Sequence, residues 1–150
     1  MSHINRPLKI AHRGNIVGPN PKMENNPQYI DKAVISGYNV EIDVWFIDGK
    51  LFLGHDSPVY EVNYNLLSNN MLWCHAKNLK ALEYMSDKNI QCFWHEEDDY
   101  TLTSTGHIWT YPKKSVCGKS IIVCDTLEEA EKFMKKNIAG VCSDYVGAIK

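Results

Sequence analysis

Apolar positions in this chain fall in short blocks, and the character of each block predicts an element. LKIAH (8–12), NVEIDVWF (39–46), LFLG (51–54), MLWCHA (71–76), IQCFWH (90–95), HIWTY (107–111), SIIVC (120–124) and GVCS (140–143) are rich in β-branched, aromatic or other apolar residues and bounded by turn formers. Each reads as a strand. Between them, NNPQYIDKAVISG sets Tyr29, Ile30, Ala33 and Val34 at helical spacing and ends on Gly37. LKALEYMSDKN and TLEEAEKFMKKN are the other helical stretches. In the last, Thr126 and Glu129 form a capping box, acids fill the first turn and lysines the last, as the helix dipole favours. DGK (48–50) predicts a hairpin turn, and YTLTSTGHIWTY a second hairpin turning at STG. Strands alternating with helices predict an α/β protein with parallel strands.

Composition narrows the picture. At 150 residues the chain is expected to form one domain spanning 1–150, burying roughly two thirds of its unfolded surface. The formal charge of -2 lacks the basic excess of a protein that neutralises many phosphates, so nucleic acid is not an expected partner. Five cysteines without a CxxC pair, four of them inside apolar runs, predict reduced thiols acting as small hydrophobes. No signal-like stretch opens the chain and no run approaches the ~20 apolar residues of a membrane span. A cytoplasmic location is the expectation.

Several polar residues stand where chemistry is placed in α/β folds. His12 and Arg13 close the first strand, followed by the Gly/Pro-rich GNIVGPNPK at 14–22. Period-two alternation sets Glu41 and Asp43 on one side of their strand, opposite Val40, Ile42 and Val44. Two carboxylates so placed suit a hard cation such as Mg²⁺ or Ca²⁺, or are simply two solvated acids on an exposed face. The same alternation aligns Trp73, His75 and Lys77. Lys77 can supply charge to a bound phosphate or open the next helix, and His75 can be a ligand or a half-buried filler. FWHEEDD places His95, Glu96, Glu97, Asp98 and Asp99 at another strand end, as site acids or as a solvated loop. His12 and His55 have the pKa range for base and acid in one reaction.

AHRG (11–14), MENN (23–26), VEIDV (40–44), DGKLFLGHD (48–56) and CSDY (142–145) in this order resemble the glycerophosphodiester phosphodiesterase family, and more broadly the phosphatidylinositol-phospholipase-C-like phosphodiesterases. The resemblance implies a (β/α) barrel with its site at the carboxyl ends of parallel strands, a divalent cation (Mg²⁺ or Ca²⁺), and cleavage of a small phosphodiester of the kind met in lipid metabolism. It implies His12 as the base, His55 as the acid that protonates the leaving oxygen, and Arg13 as a phosphate contact with Lys77 sharing the charge. Glu24 falls in the phosphate-binding loop as a supporting acid, and Glu41 and Asp43 become metal ligands. His75 stands where the family has a third metal carboxylate, so either it binds the metal or Glu96 or Glu97 takes over; a nitrogen donor shifts the preference away from Ca²⁺. A full barrel takes ~250 residues. The expectation is therefore a reduced or irregular TIM-type barrel with several helices missing or short, its open edge exposed or covered by a second subunit in a homodimer. Two functions follow: a metal-dependent phosphodiester hydrolase, or a catalytically inactive module that binds a phosphorylated metabolite.

Overall fold

The computed structural model describes residues 6–150. The elements run β1 (Leu8–His12), α1 (Pro27–Ile35), β2 (Asn39–Ile47), β3 (Lys50–Leu53), β4 (Tyr60–Val62), α2 (Tyr64–Leu67), β5 (Leu72–Ala76), α3 (Leu79–Asp87), β6 (Cys92–Phe93), β7 (Tyr100–Leu102), β8 (Ile108–Thr110), β9 (Ser120–Val123), α4 (Leu127–Phe133) and β10 (Gly140–Ser143). Local chemistry explains the helix starts. Asn26 caps α1 and Pro27 opens it, the Asn78 side chain caps α3, and Thr126 caps α4 by accepting from Glu129 N–H at 3.1 Å. Asn78 also exchanges hydrogen bonds with the Phe46 N–H and C=O, which ties the start of α3 to the end of β2.

Seven strands pair in parallel in the order β6-β5-β2-β1-β10-β9-β8. β3 adds antiparallel to the far half of β2 and β4 antiparallel to β3, and β7 adds antiparallel to β8. The sheet curls until β6 returns towards β8: Phe93 stacks on Trp109 with ring centroids 4.4 Å apart. No ladder joins those two strands. The turn of the β7–β8 hairpin bridges them instead, with Ser104 N–H donating to the Cys92 carbonyl and Cys92 N–H to Ser104 Oγ, both at 2.8 Å. This is a reduced, irregular TIM-type barrel.

The missing material is helix. Residues 111–119 carry none, although they connect two parallel strands, and α2 is a single turn. IQCFWH was expected to give six strand residues, yet only Cys92 and Phe93 pair in a ladder. Beyond them the chain bends to meet the hairpin, where Trp94 C=O accepts from Thr101 Oγ1.

Strand alternation sorts the side chains into two layers. Ile10, Trp73, Phe93, Trp109, Ile121 and Cys142 fill the inside of the curl. Their neighbours, among them Ala11, Val40, Ile42, Cys74, Ile122 and Val141, face outward into a second core with Ile30 and Ala33 of α1, Met85 of α3 and Ala130 of α4. Each of the larger side chains contributes about 1.5–3 kcal/mol by leaving water. The aromatic plug on the inside closes the barrel below the carboxyl ends of the strands, so anything bound from above rests on a dry floor. No helix among the described residues is long and apolar enough to cross a membrane.

Candidate active site

Above that floor, β2 carries Glu41 and Asp43 inward, and both are almost wholly buried, at 3% and 1% exposure. This rules out two solvated acids on an open face. Their surroundings are built mainly by the turns after β1. Arg13 takes a left-handed backbone conformation (φ 56°), which swings its N–H onto the Glu41 carbonyl (2.9 Å) and Glu41 Oε1 (3.2 Å). Asn25 is also left-handed (φ 66°). Its N–H meets the Arg13 carbonyl at 3.1 Å, while its amide clasps Asp43 twice: Nδ2 donates to Asp43 Oδ2 and Asp43 N–H donates to Asn25 Oδ1, both at 2.9 Å. Two non-glycine residues in this region cost of order 1–3 kcal/mol each and persist where surroundings over-determine them.

The histidines are oriented from behind. His12 Nδ1 lies 2.9 Å from Asp144 Oδ1, which also accepts from Asn15 Nδ2 at 2.9 Å; Tyr29 O–H in turn holds Asn15. Burial would lower the His12 pKa, but the Asp144 hydrogen bond and the Glu41 charge outweigh it and hold the imidazole above its ordinary 6.5. With Nδ1–H given to Asp144, Nε2 faces the cavity, 3.9 Å from Glu41 Oε1. His75 is held the other way round. Its Nε2 lies 2.7 Å from the His95 carbonyl, which can only accept, so Nε2 carries the hydrogen. Nδ1 faces Asp43 Oδ1 at 3.2 Å and Glu41 Oε2 at 3.8 Å, and the ring stacks on Phe93, 5.2 Å away and 9° from parallel.

The two carboxylates answer this environment in opposite directions. Burial, reinforced by the negative charge of Asp43, pushes Glu41 up to about 7 against the pull of His12, His75 and Arg13. Burial acts on Asp43 too, but the adjacent His75 imidazole, Asn25 and Arg13 hold it at about 2. Asp43 Oδ1 and Arg13 Nε are buried with no hydrogen-bond partner. A buried carboxylate oxygen whose nearest polar neighbour is the His75 ring, 3.2 Å away, is costly to keep charged and suits a positive partner. Glu41, Asp43 and His75 each offer a ligand atom within 4.8 Å of the others, and this set fits a divalent cation.

One cavity of about 380 Å³ takes in His12, Arg13, Glu41, Asp43, His55 and His75, with His95, Glu96, Trp109 and Tyr111 among its far wall. His55 stands at the mouth, 41% exposed, with Nδ1 2.7 Å from Asp56 Oδ1. Glu24 lies behind the site, where its carboxylate takes Arg13 Nη1 at 3.2 Å and Asn20 N–H at 2.8 Å. It aims the guanidinium rather than lining the cavity. Lys77 is not among the lining residues; its N–H binds the Val44 carbonyl where β5 ends. Of the acids in FWHEEDD, Glu96 reaches the cavity wall and Glu97 does not.

Sequence reasoning passed over four contributors. Asp144 lay within CSDY and Asn25 within MENN, so the motifs were visible while the roles were not. Asn15 carried no motif beyond its place after AHRG. The His95 carbonyl is a backbone group, to which side-chain patterns are blind.

A glycerophosphoryl diester phosphodiesterase from Parabacteroides distasonis superposes on the chain with a TM-score of 0.54 at 10% identity, covering 99% of this chain and 86% of that one. The two share a fold. Identity at this level carries no residue role across, so the roles rest on the geometry above. No family model and no curated protein matches the chain.

Proposed function

We propose that the chain is a metal-dependent phosphodiester hydrolase acting on a glycerophosphodiester or a similar small phosphodiester by histidine general acid/base catalysis. The observation that carries this reading is the single cavity in which His12, Arg13 and His55 surround Glu41, Asp43 and His75. A divalent cation held by Glu41, Asp43 and His75 would supply Lewis-acid polarisation of a non-bridging phosphate oxygen.

The chain's own residues divide the remaining work. His12 Nε2, its ring fixed by Asp144, takes the proton from the attacking hydroxyl as the new O–P bond forms. His55, oriented by Asp56 in the same manner, returns a proton to the leaving oxygen as the old O–P bond breaks. An Asp-held imidazole has a fixed tautomer with its other nitrogen free for proton transfer. Arg13 has guanidinium hydrogens left over from its Glu24 contact, and these meet the phosphate oxygens. The dry aromatic floor of Trp109 and Phe93 strengthens these charge interactions by excluding water.

The test is cleavage of a chromogenic phosphodiester and of glycerophosphodiesters by purified protein with Mg²⁺, Ca²⁺, Mn²⁺, Zn²⁺ or chelator, beside His12→Ala and Glu41→Ala. Metal-dependent turnover lost in both variants is the expected result. Absence of turnover from folded protein with every metal would overturn it in favour of a catalytically inactive module that binds a phosphorylated metabolite, for which the exposed setting of His55 already leaves room.

A further inference from the structure

The donor set itself discriminates among metals. His75 Nε2–H is committed to the His95 carbonyl at 2.7 Å, and stacking on Phe93 at 5.2 Å and 9° fixes the ring plane. The electron pair of Nδ1 is thereby aimed at the space between Asp43 Oδ1 (3.2 Å) and Glu41 Oε2 (3.8 Å). Asp43 Oδ1, on a side chain 1% exposed, has no hydrogen-bond donor. Two ligand atoms each about 2.0–2.2 Å from one ion stand roughly 3.0–3.5 Å apart, and the Asp43–His75 pair is already at that spacing.

We propose that this site is built for a transition-metal ion of the Zn²⁺ type rather than for Mg²⁺ or Ca²⁺, with His75 Nδ1 as its nitrogen ligand. The proposal rests on the reading of Glu41, Asp43 and His75 as a cation site and narrows which cation they take. Mg²⁺ and Ca²⁺ are hard ions that prefer oxygen throughout. An imidazole whose other nitrogen donates to a carbonyl is the usual arrangement of a histidine ligating Zn²⁺ or its neighbours. Here a backbone carbonyl, a stacked ring and two buried carboxylates produce that arrangement in one place. The cavity side of the ion would stay open to His12 and Arg13, as a catalytic rather than a closed structural site requires.

The experiment reads the ligand atom directly. Long-range proton–nitrogen correlation spectra of the histidine rings of ¹⁵N-labelled protein are followed on addition of Zn²⁺ and, separately, of Mg²⁺ and Ca²⁺, with competition titrations for relative affinity. The expected outcome is a large shift of His75 Nδ1 with Zn²⁺, Nε2 keeping its hydrogen, and Zn²⁺ bound more tightly than Ca²⁺. His75→Glu should cut the Zn²⁺-over-Ca²⁺ preference by about tenfold or more. The ring measurement uses the unaltered chain, so it stands whether or not that variant folds. Zn²⁺ binding that leaves the His75 ring unmoved, or Ca²⁺ bound more tightly than Zn²⁺, would overturn the proposal. Phosphodiester cleavage assayed in the same samples separates the two readings. Turnover with His75 untouched removes this inference and leaves the hydrolase standing, whereas no metal bound and no turnover removes both.

Discussion

Replacing Glu41 by glutamine should stabilise the metal-free protein. The Glu41 carboxyl is buried beside Asp43, and its pKa rises from 4.5 to about 7. Below pH 4.5 it is protonated in both folded and unfolded chains and has no effect. As pH rises, the unfolded chain releases its proton first, so folding stability falls by up to about 1.4 kcal/mol per pH unit until the folded carboxyl also ionises near 7. The loss then levels off at about 3 kcal/mol. His12, His75 and Arg13 already pull against the burial cost within that value. A neutral isostere therefore recovers most of the remainder, and its amide oxygen can still accept the Arg13 N–H that Glu41 Oε1 holds at 3.2 Å. Urea denaturation in chelator at pH 8 should show Glu41→Gln more stable than the wild type by about 1–3 kcal/mol, the difference shrinking towards zero below pH 5. Adding the bound metal should reverse the order, because an ion at one hundred times its Kd stabilises the wild type by about 2.7 kcal/mol. A variant no more stable at pH 8 in chelator, or a difference that does not grow with pH, would refute the account of Glu41 as a strained group kept for a cation.

Four further outcomes follow from the geometry. His12→Ala should lower kcat about 10²–10⁴-fold with the fold intact, as loss of a proton-transfer group does. Asp144→Asn removes the contact that chiefly raises the His12 pKa, so the acidic limb of the pH–rate profile should move to lower pH while kcat falls; an unmoved limb would mean that Asp144 does not orient the base. Asn25→Ala leaves Asp43 short of two hydrogen bonds and puts alanine at φ 66°, which should cost about 3–5 kcal/mol in chemical denaturation. A loss below about 1 kcal/mol would mean that the asparagine clasp is not structural. Gly54→Ala would set a Cβ against the Ser57 carbonyl oxygen at φ 155°, displacing the loop that carries His55, so turnover should fall more steeply than stability.

Much of the site was legible because strand alternation is a strict geometric rule. Glu41 and Asp43 in NVEIDVWF had to share a face, and β1 and β10 appear within the stretches the apolar pattern marked. The second hairpin turns where STG stands. What could not be read depends on contacts between distant positions. Asp144 meets His12 across 132 residues, and no local pattern records that meeting. His75 lies inward, where the alternation in CHAK sets it, while Lys77 falls beyond the end of β5 at Ala76, where the chain turns to begin α3. β4 is a three-residue strand set by its partner rather than by propensity. The shortness of β6 has the same origin, because Ser104 of the hairpin supplies the hydrogen bonds that another ladder would have given.

The pairing of β1 with β10 has a temporal consequence. The first strand sits between the second and the last, so a ring must close across almost the whole described chain before β1 is flanked on both sides. Closing so long a loop is entropically slow, and contacts of such high sequence separation set the pace of folding. His12 and Asp144 stand at the seam. The imidazole proposed as the base is thus fixed in direction only when that seam forms, so the chemistry of the hollow next to it depends on the pairing of greatest sequence separation in the sheet.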